Sequence, residues 1–485
     1  MKNGKKTVIK KTAFLALVYA VLLIPDTENT NVHVSNTIPF AWNNNIQWNM
    51  LEHTFEQAKL QPTALVNSKA DTLFASCNKL LLQFERDKDT AILANLTQQY
   101  FYLAALIAAV PAKTDSLIQL YNHTRVAIKQ QSIYWDVQQI CNRQLLYKSL
   151  YGLRAATEEV LLQTNKNVFN NVLQVQSEIS KTPATNILGM QVHSGDLLIS
   201  RGGASVSALI ARGNDYPGNF SHVAQLYVDE SGKAFVIEAH IEKGVAISTV
   251  EQYLADKKLR ILVLRPRANL PVIIKNGMLP HDAAKYIMQL AASKHIPYDF
   301  KMDYFDSTAM FCSEVCSYAY KKFGVQLWQC QSTIASAGIV NWLQVFGVQH
   351  FITQMPSDLE YDPQLSIITE WRASASLKKD HLDNAVIDEL LQQADAGKKI
   401  DYNIFMLPIA RCIKGWCIIK NICGSIGIIP EGMTATQALK NESFEQMNVT
   451  LKTKAIKLAD NFMIKNKYYP PYWKLISICK EAANQ

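Results

Sequence analysis

The stretch FSHVAQLYVDESGKAFVIEAH, residues 220–240, decides the fold of the middle of this chain. In its first part Ala224, Leu226 and Val228 recur at every second position, which is the period of a half-buried strand. A second run rich in apolar residues, 234–240, follows after a short polar turn in which Gly232 suits the left-handed position of a three-residue hairpin loop. The stretch therefore predicts an antiparallel β-hairpin.

The hairpin brings titratable side chains together. If its loop consists of residues 230–232, Ala224 pairs with Glu238 and His222 pairs with His240, so that His222 and Glu238 are diagonal neighbours on one face. A carboxylate there accepts a hydrogen bond from one imidazole nitrogen and fixes the tautomer of the ring. His240 is the rival for this orienting role. We favour Glu238 because a carboxylate also stabilises the imidazolium form, whereas a two-residue loop would separate the pair.

A second informative stretch is FCSEVCSYAYKKFG, residues 311–324, whose apolar positions predict a helix over 312–323. Cys312 stands at the start of that helix, where unpaired backbone N–H groups and the helix dipole favour a thiolate, the nucleophilic form of cysteine. A lone cysteine is more often a small buried residue. Cys316, one turn further on, fits that ordinary role, so Cys312 needs a partner before it indicates catalysis.

The segments around these two stretches predict the class of the fold. Strand-like runs at 244–249 and 259–264 follow the hairpin, and a helix over 281–294 precedes the helix of Cys312. The middle of the chain is therefore predicted to be α+β. The sequence before it is rich in Leu, Ala, Gln and Lys and nearly free of Gly, and helical composition returns after it.

At 485 residues the chain is long enough for two to four domains. We predict the following organisation: 1–30, a signal peptide or membrane anchor; 45–180, a helical domain; 186–360, the α+β domain; and 375–485, a helical region with a Lys-rich tail. The basic face of that tail is either a solvated helix face or a contact with anionic lipid or wall polymer.

The N-terminal segment indicates export. An uncharged apolar run at 13–25 follows a cluster of lysines, namely Lys2, Lys5, Lys6, Lys10 and Lys11. This run suits the apolar part of a signal peptide better than a full membrane span, which needs about 20 residues. No clear cleavage site follows, so a cleaved signal and a retained anchor are both open. We expect the protein in the periplasm or cell envelope, with possible membrane association through this segment.

Composition and cysteine usage restrict the function classes further. The chain is 48% hydrophobic and 19% charged, with a net charge of +8, which is typical of a globular protein and shows no dense basic run for nucleic acid. Its nine cysteines have no regular spacing that indicates a disulfide framework or a structural zinc site. We expect Cys412, Cys417 and Cys423, which lie in an apolar stretch, to be buried structural thiols.

Three segments together resemble a known family. They are GDLLISRGGASVSALIARGNDYPGNFSHVAQLYV at 195–228, VIEAHIEKGVAI at 236–247 and YDFKMDYFDSTAMFCSEVC at 298–316. They resemble the permuted NlpC-like, papain-like amidases of the YiiX and YaeF type, which are related more distantly to lecithin retinol acyltransferase. The resemblance covers roughly residues 190–330 and implies a circularly permuted papain-like (NlpC-type) domain.

The resemblance also implies roles for individual residues. His222 corresponds to the base, Glu238 to the orienting residue and Cys312 to the nucleophile, in the order that distinguishes the permuted family from other papain-like enzymes. Asp196 matches a further family position, and so does the pair at 298–299 (Tyr298 and Asp299); in the family these positions are architectural as often as catalytic.

The expected chemistry is acyl transfer through a thioester on Cys312, with no metal or organic cofactor. The backbone N–H of Cys312 is a candidate oxyanion donor, and Tyr304 or Ser307 is a candidate for a second donor. The leading expectation is hydrolysis of an amide in peptidoglycan or a related peptide. A lipid acyl hydrolase or acyltransferase is the alternative enzyme, and a binding module without catalysis is the alternative outside the enzymes.

Overall fold

A computed structural model describes most of the chain. The described residues are 13–14, 16–26, 35–40, 46–47, 49–164, 171–328, 330–423 and 425–485. The lysines at positions 2, 5, 6, 10 and 11, which support the targeting prediction, lie outside these ranges. The fate of the N-terminal segment therefore stays a prediction.

The described chain contains both helices and strands. The helices are α1 (Asn49–Leu60), α2 (Thr63–Asp87), α3 (Thr90–Ala109), α4 (Thr114–Gln131), α5 (Ile140–Gln163), α6 (Ser205–Arg212), α7 (Val250–Ala255), α8 (Pro271–Lys275), α9 (Leu279–Ser293), α10 (Cys312–Lys322), α11 (Ala337–Val345), α12 (Asp358–Tyr361), α13 (Leu377–Asp395), α14 (Leu407–Ile422), α15 (Ala435–Asn466) and α16 (Tyr472–Asn484). The strands are β1 (Val172–Gln174), β2 (Ala184–Ile187), β3 (Met190–His193), β4 (Leu197–Gly202), β5 (His222–Val228), β6 (Ala234–His240), β7 (Gly244–Thr249), β8 (Lys258–Pro266), β9 (Ser332–Thr333), β10 (Ile352–Thr353) and β11 (Leu365–Arg372). The predicted mixed fold, with an antiparallel sheet between helical regions, is confirmed.

One large sheet organises the middle of the chain. Among the described residues its strand order is β1-β11-β8-β4-β5-β6-β7, and each neighbouring pair is antiparallel. Helices α9 and α10 pack against β5 and β6, and α7 packs against β6 and β7. The helix that begins with Cys312 is thus held against the strand that begins with His222.

The hairpin β5–β6 has the predicted register. Ala224 pairs with Glu238, and Val228 pairs with Ala234 at the closed end. Gly232 has a φ of 82°, in the left-handed region that glycine adopts without strain. Asp229 stabilises the turn, since its Oδ1 accepts hydrogen bonds from the backbone N–H groups of Ser231 and Lys233, both at 2.9 Å.

The sheet also includes residues outside the predicted domain at 186–360. Strand β1 comes from the end of the segment predicted to be helical, and β11 lies just beyond the predicted C-terminal limit. These two strands pair with each other at one edge of the sheet. The domain limits stay a prediction, but the flanking segments contribute directly to the central sheet.

Buried ion pairs connect the helical regions to the sheet. Arg260 of β8 donates to Glu158 of α5, with an Nη1–Oε1 distance of 2.6 Å, and to Asp380 of α13, with an Nε–Oδ2 distance of 2.9 Å. All three side chains are almost fully buried. Further buried charges around them are Arg125, Arg154, Arg201, Glu360, Glu370 and Arg372. Because isolated buried charges are costly, each of the three regions depends on the others for charge compensation.

The apolar stretch after residue 403 differs from expectation at two cysteines. Cys417 is buried as predicted, but Cys412 and Cys423 are exposed. The prediction of buried thiols is therefore wrong for these two residues. An apolar neighbourhood in the sequence does not show which face of the helix is turned inward.

Helix α3 is long and apolar enough to cross a membrane, by length and composition, and is the only such helix in the described ranges. In the structure 61% of its apolar window is buried inside the protein. The helix packs against α2 and α5. Its apolar character is accounted for by this burial in the helical core.

We expect Arg260→Met to lower the free energy of unfolding by about 3–5 kcal/mol, because it leaves Glu158 and Asp380 as uncompensated buried charges. Urea unfolding of the full-length protein at pH 7 measures the effect. Arg86→Met, which removes an exposed ion pair with Asp87, is the control and should leave the midpoint unchanged. Equal midpoints for Arg260→Met and the unaltered protein would contradict the proposed dependence.

Candidate active site

His222 lies at the centre of the candidate site. It is the first residue of β5, and 20% of its side chain is exposed. Its Nε2 lies 2.6 Å from Oε2 of Glu238, in hydrogen-bonding distance. The hairpin register produces this contact, since Glu238 pairs with the residue two positions beyond His222.

Glu238 is fully buried and lies between two imidazoles. In addition to His222, it contacts His240, whose Nε2 is 3.0 Å from Oε1 of the carboxylate. Burial alone would raise the pKa of Glu238, but the interactions with both histidines outweigh it and hold the pKa well below its usual range. The carboxylate is therefore ionised at neutral pH; it accepts a hydrogen bond from His222 and lies within ion-pair distance of His240.

The geometry separates the two candidates for the orienting role. His240 and His222 have ring centroids 6.0 Å apart, and both rings approach the same carboxylate. Glu238 is the residue in direct hydrogen-bonding distance of His222. His240 is placed to act through Glu238.

Cys312 opens helix α10 and is nearly buried, with 5% of its surface exposed. Its Sγ lies 3.9 Å from the backbone carbonyl oxygen of Ser221, the residue before His222. Cys312 is also close enough to His222 to raise the pKa of the imidazole. The structure therefore brings together all three residues that the sequence predicts for the site.

The pKa of His222 reflects its neighbours. Its Nε2 is directed to Glu238, so Nδ1 is the ring nitrogen not engaged by that carboxylate. Burial lowers the pKa of His222, but the interactions with Cys312 and Glu238 have the larger combined effect and raise it to about 9. At neutral pH the ring is an imidazolium.

Glu314 is a residue near the site for which the sequence alone suggested no role. Its Oε2 accepts a hydrogen bond of 2.9 Å from the backbone N–H of Phe311, just before the helix. Burial, with a further contribution from nearby Asp299, raises the pKa of Glu314 to about 9. The side chain is uncharged at neutral pH and does not oppose a negative charge on Cys312. An acidic residue at the third helical position is the sequence signal that would have identified this cap.

The further family positions have structural contacts. Asp196 forms a buried bidentate ion pair with Arg265, with two N–O distances of 2.8 Å. Asp299 accepts backbone hydrogen bonds from residues 301 and 303 and so stabilises the loop before the helix. Tyr298 is close enough to Cys312 for the two groups to interact electrostatically, while burial is the main cause that raises its pKa.

The candidate oxyanion donors lie in different environments. The backbone N–H of Cys312 belongs to the first residue of α10, so it has no acceptor within the helix. Tyr304 is half-buried, and its hydroxyl lies near Ser317, which is more than one turn further along the helix than Cys312. Ser307 is exposed on the preceding loop. The helix start therefore offers the donor that is best placed.

Within the described ranges, no group of three or more His, Cys, Asp or Glu side chains is arranged to hold a metal ion. A cavity of about 420 Å³ lies elsewhere, between the helical regions and the end of α6. Tyr151, Arg212, Asp388 and Trp473 line it, and none of the three candidate site residues does.

Comparison with known protein families agrees with the resemblance inferred from the sequence. Residues 191–369 match the family described as permuted papain-like amidase enzymes, YaeF/YiiX, C92 family. The predicted resemblance and the permuted papain-like domain between helical regions are thereby confirmed, and the match supports a cysteine hydrolase at the level of the family.

A comparison with solved structures found the crystal structure of the metalloprotein yiiX from Escherichia coli O157:H7. The two sequences are 20% identical, the similarity covers 36% of this chain and 95% of that chain, and the TM-score is 0.29. A comparison with curated proteins gave no match.

The raised pKa of His222 is directly testable. We expect NMR titration of the imidazole to give a pKa near 9 in the unaltered protein, and a clearly lower value in Glu238→Gln, because the amide does not stabilise the imidazolium. Glu230→Gln, in the exposed hairpin turn, is the control and should leave the titration unchanged. A titration unaffected by Glu238→Gln would contradict the assigned partner.

Proposed function

We propose that this member of the permuted papain-like amidases is a cell-envelope cysteine hydrolase that cleaves an amide bond, with Cys312 as nucleophile, His222 as base and Glu238 as orienting residue. One observation carries the proposal: His222 is hydrogen-bonded to buried Glu238, and the Sγ of Cys312 lies 3.9 Å from the carbonyl oxygen of Ser221, the residue next to His222. A thiol next to an imidazole that is oriented by a carboxylate is the arrangement of an activated nucleophile.

The proposed reaction proceeds in two steps. The Cys312 thiolate attacks the carbonyl carbon of the amide, and the backbone N–H of Cys312 stabilises the negative charge on the oxygen. His222 donates its proton to the departing amine, which leaves a thioester on Cys312. His222 then takes a proton from water as the water attacks the thioester, and the carboxylic acid and the free thiol are released.

The proposed natural substrate is a peptidoglycan peptide or a related amide. The Lys-flanked apolar run at the N-terminus supports an envelope location, since it has the features of an export signal or anchor. An amidase at that location would have the peptides of the cell wall within reach. The proposal includes possible membrane association through this segment and no nucleic-acid partner.

A lipid-linked acyl group is the second candidate substrate. It is favoured by the position of Phe300, which belongs to the loop before Cys312 and packs its ring against Gly432. Gly432 follows an apolar stretch, 404–428, that exposes many large side chains. A lipid substrate would approach the site from that side.

The thiol predicts a reactivity pattern. We expect a thiol-reactive probe at pH 7 to label Cys312 much faster than the exposed Cys141, because an imidazolium stabilises the Cys312 thiolate. Cys312→Ala should abolish the fast labelling and His222→Ala should slow it. Mass spectrometry of the labelled full-length protein measures both effects, and Cys141→Ser is the control that retains the fast phase. Fast labelling that survives Cys312→Ala and His222→Ala would count against the catalytic assignment.

Hydrolysis assays test which bond is cleaved and whether Glu238 contributes to cleavage. We expect muropeptide cleavage to fall by about 10²–10⁴-fold in His222→Ala, the range for loss of a general acid–base group. Glu238→Gln should reduce cleavage and shift the alkaline fall in activity from near pH 9 to lower pH, because the imidazolium that protonates the leaving amine is less stable. Release of fatty acid from phospholipid without muropeptide cleavage would instead select the lipid candidate.

A further inference from the structure

Helix α14 has an unusual outward face. Phe405, just before the helix, begins a row that continues with Ile409, Cys412, Trp416, Ile419 and Cys423. The spacing alternates between four and three residues, which places the row on one side of a helix. All six residues are exposed, and the four large ones each have more than half of their surface exposed.

The opposite face of the same helix is directed to the protein. Leu407, Ala410 and Cys417 are buried, and α14 packs against α15. Both faces of α14 are therefore apolar, although only one of them is covered. Further large apolar side chains are exposed at the last residue of the helix, Ile422, and after it, at Ile426 and Ile428. A continuous exposed apolar surface of this kind is rare on a protein that contacts only water.

The N-terminal apolar segment ends on this surface. The hydroxyl of Tyr19 donates a hydrogen bond of 3.2 Å to the backbone carbonyl of Phe405. Arg411 of α14 donates to the backbone carbonyls of Leu22, at 3.0 Å, and Ile24, at 2.6 Å. The guanidinium thus caps the last turn of the N-terminal segment.

An ion pair fixes the junction. Asp26 lies 2.9 Å from Nη2 of Arg411 and accepts a hydrogen bond of 2.8 Å from Thr436 at the start of α15. The N-terminal segment also presents large exposed apolar side chains, namely Phe14, Leu17, Val21 and Ile24. The two exposed apolar surfaces are therefore joined at the end of the segment that the sequence identifies as a targeting signal or anchor.

We propose that α14, with the adjoining residues 404–406, 423 and 425–428, is a membrane-docking surface that lies on a lipid bilayer beside the retained N-terminal segment. The occupant is lipid because the N-terminal segment has the composition of a membrane-inserting sequence, and its last turn is fixed to α14. A segment inserted in the bilayer would hold α14 at the level of the membrane surface.

The side-chain chemistry of the surface agrees with an interfacial helix. Trp416 has the amphipathic ring that prefers the boundary between lipid and water. Lys420 lies beside the apolar row, and the whole chain carries a net charge of +8, which favours an anionic bilayer. The apolar row would enter the boundary between head groups and acyl chains by about 5–10 Å.

The chain supplies the reporters for a test. An environment-sensitive fluorophore is attached to full-length protein in which Cys141, Cys312 and Cys423 are replaced by serine, so that Cys412 is the exposed thiol. A matched protein retains Cys141 in place of Cys412, because Cys141 is exposed on α5, away from α14. Both proteins are mixed with vesicles of phosphatidylcholine and phosphatidylglycerol.

We expect vesicles to protect the label on Cys412 from an aqueous quencher by roughly tenfold, since insertion of the apolar face removes it from water. The label on Cys141 should be unaffected. Adding Trp416→Glu and Ile419→Glu should abolish the protection at Cys412, whereas Leu82→Glu, which alters an exposed apolar residue on α2, should retain it.

Three results would overturn the proposal. One is vesicle binding with the label on Cys412 still open to the quencher, which would mean that the N-terminal segment binds lipid alone. The second is absence of vesicle binding. The third is protection of Cys412 that rises with protein concentration without vesicles, which would identify a second copy of the chain as the occupant. None of these results depends on whether Cys312 is catalytic.

Discussion

The hydrogen bond between His222 and buried Glu238 is the interaction on which the candidate site depends. A carboxylate enclosed by protein is costly unless its charge is compensated, and here the imidazoles of His222 and His240 supply the compensation. The same bond fixes the orientation of the His222 ring through Nε2 and helps to keep the ring protonated at neutral pH. Orientation and charge of the site thus have one physical origin.

Charge compensation also connects the regions of the molecule. Arg260, in the middle of the sheet, is paired with Glu158 from the N-terminal helical region and Asp380 from the C-terminal one. None of the three could remain ionised and buried without its partners. The sheet that positions His222 and Glu238 is accordingly fixed by helices far away in the sequence. The flanking helices lie outside the segment that matches the family, yet they pair with charges inside its sheet.

The loop that contains Phe300 links the candidate site to the segment between α14 and α15. Phe300 lies in the loop before Cys312 and contacts Gly432, between α14 and α15. If α14 lies on a bilayer, this loop is held close to the membrane surface. Substrates presented there, whether wall peptides or lipid-linked acyl groups, would meet the site from one defined side.

The sequence by itself determined the hairpin and its consequences. Alternation of apolar residues and the position of Gly232 are local features that predicted the hairpin and favoured a three-residue loop; the structure has the register of that loop, and with it the contact of His222 with Glu238. The helix of Cys312 was equally a local pattern. The cap of this helix by Glu314 is also a local feature, since an acidic residue stands at the third helical position. The protonation of Glu314 depends on its burial, which only the tertiary structure shows.

Only the tertiary structure decided the remaining features. The contact of Cys312 with His222 joins residues 90 positions apart, and no sequence period encodes such a distance. The family resemblance was needed to predict it. Similarly, the apolar stretch around Cys412 and Cys423 was visible in the sequence, but the outward direction of these two residues depends on how α14 packs on α15. Local patterns fix which residues share a face, whereas the burial of a face is a property of the whole fold.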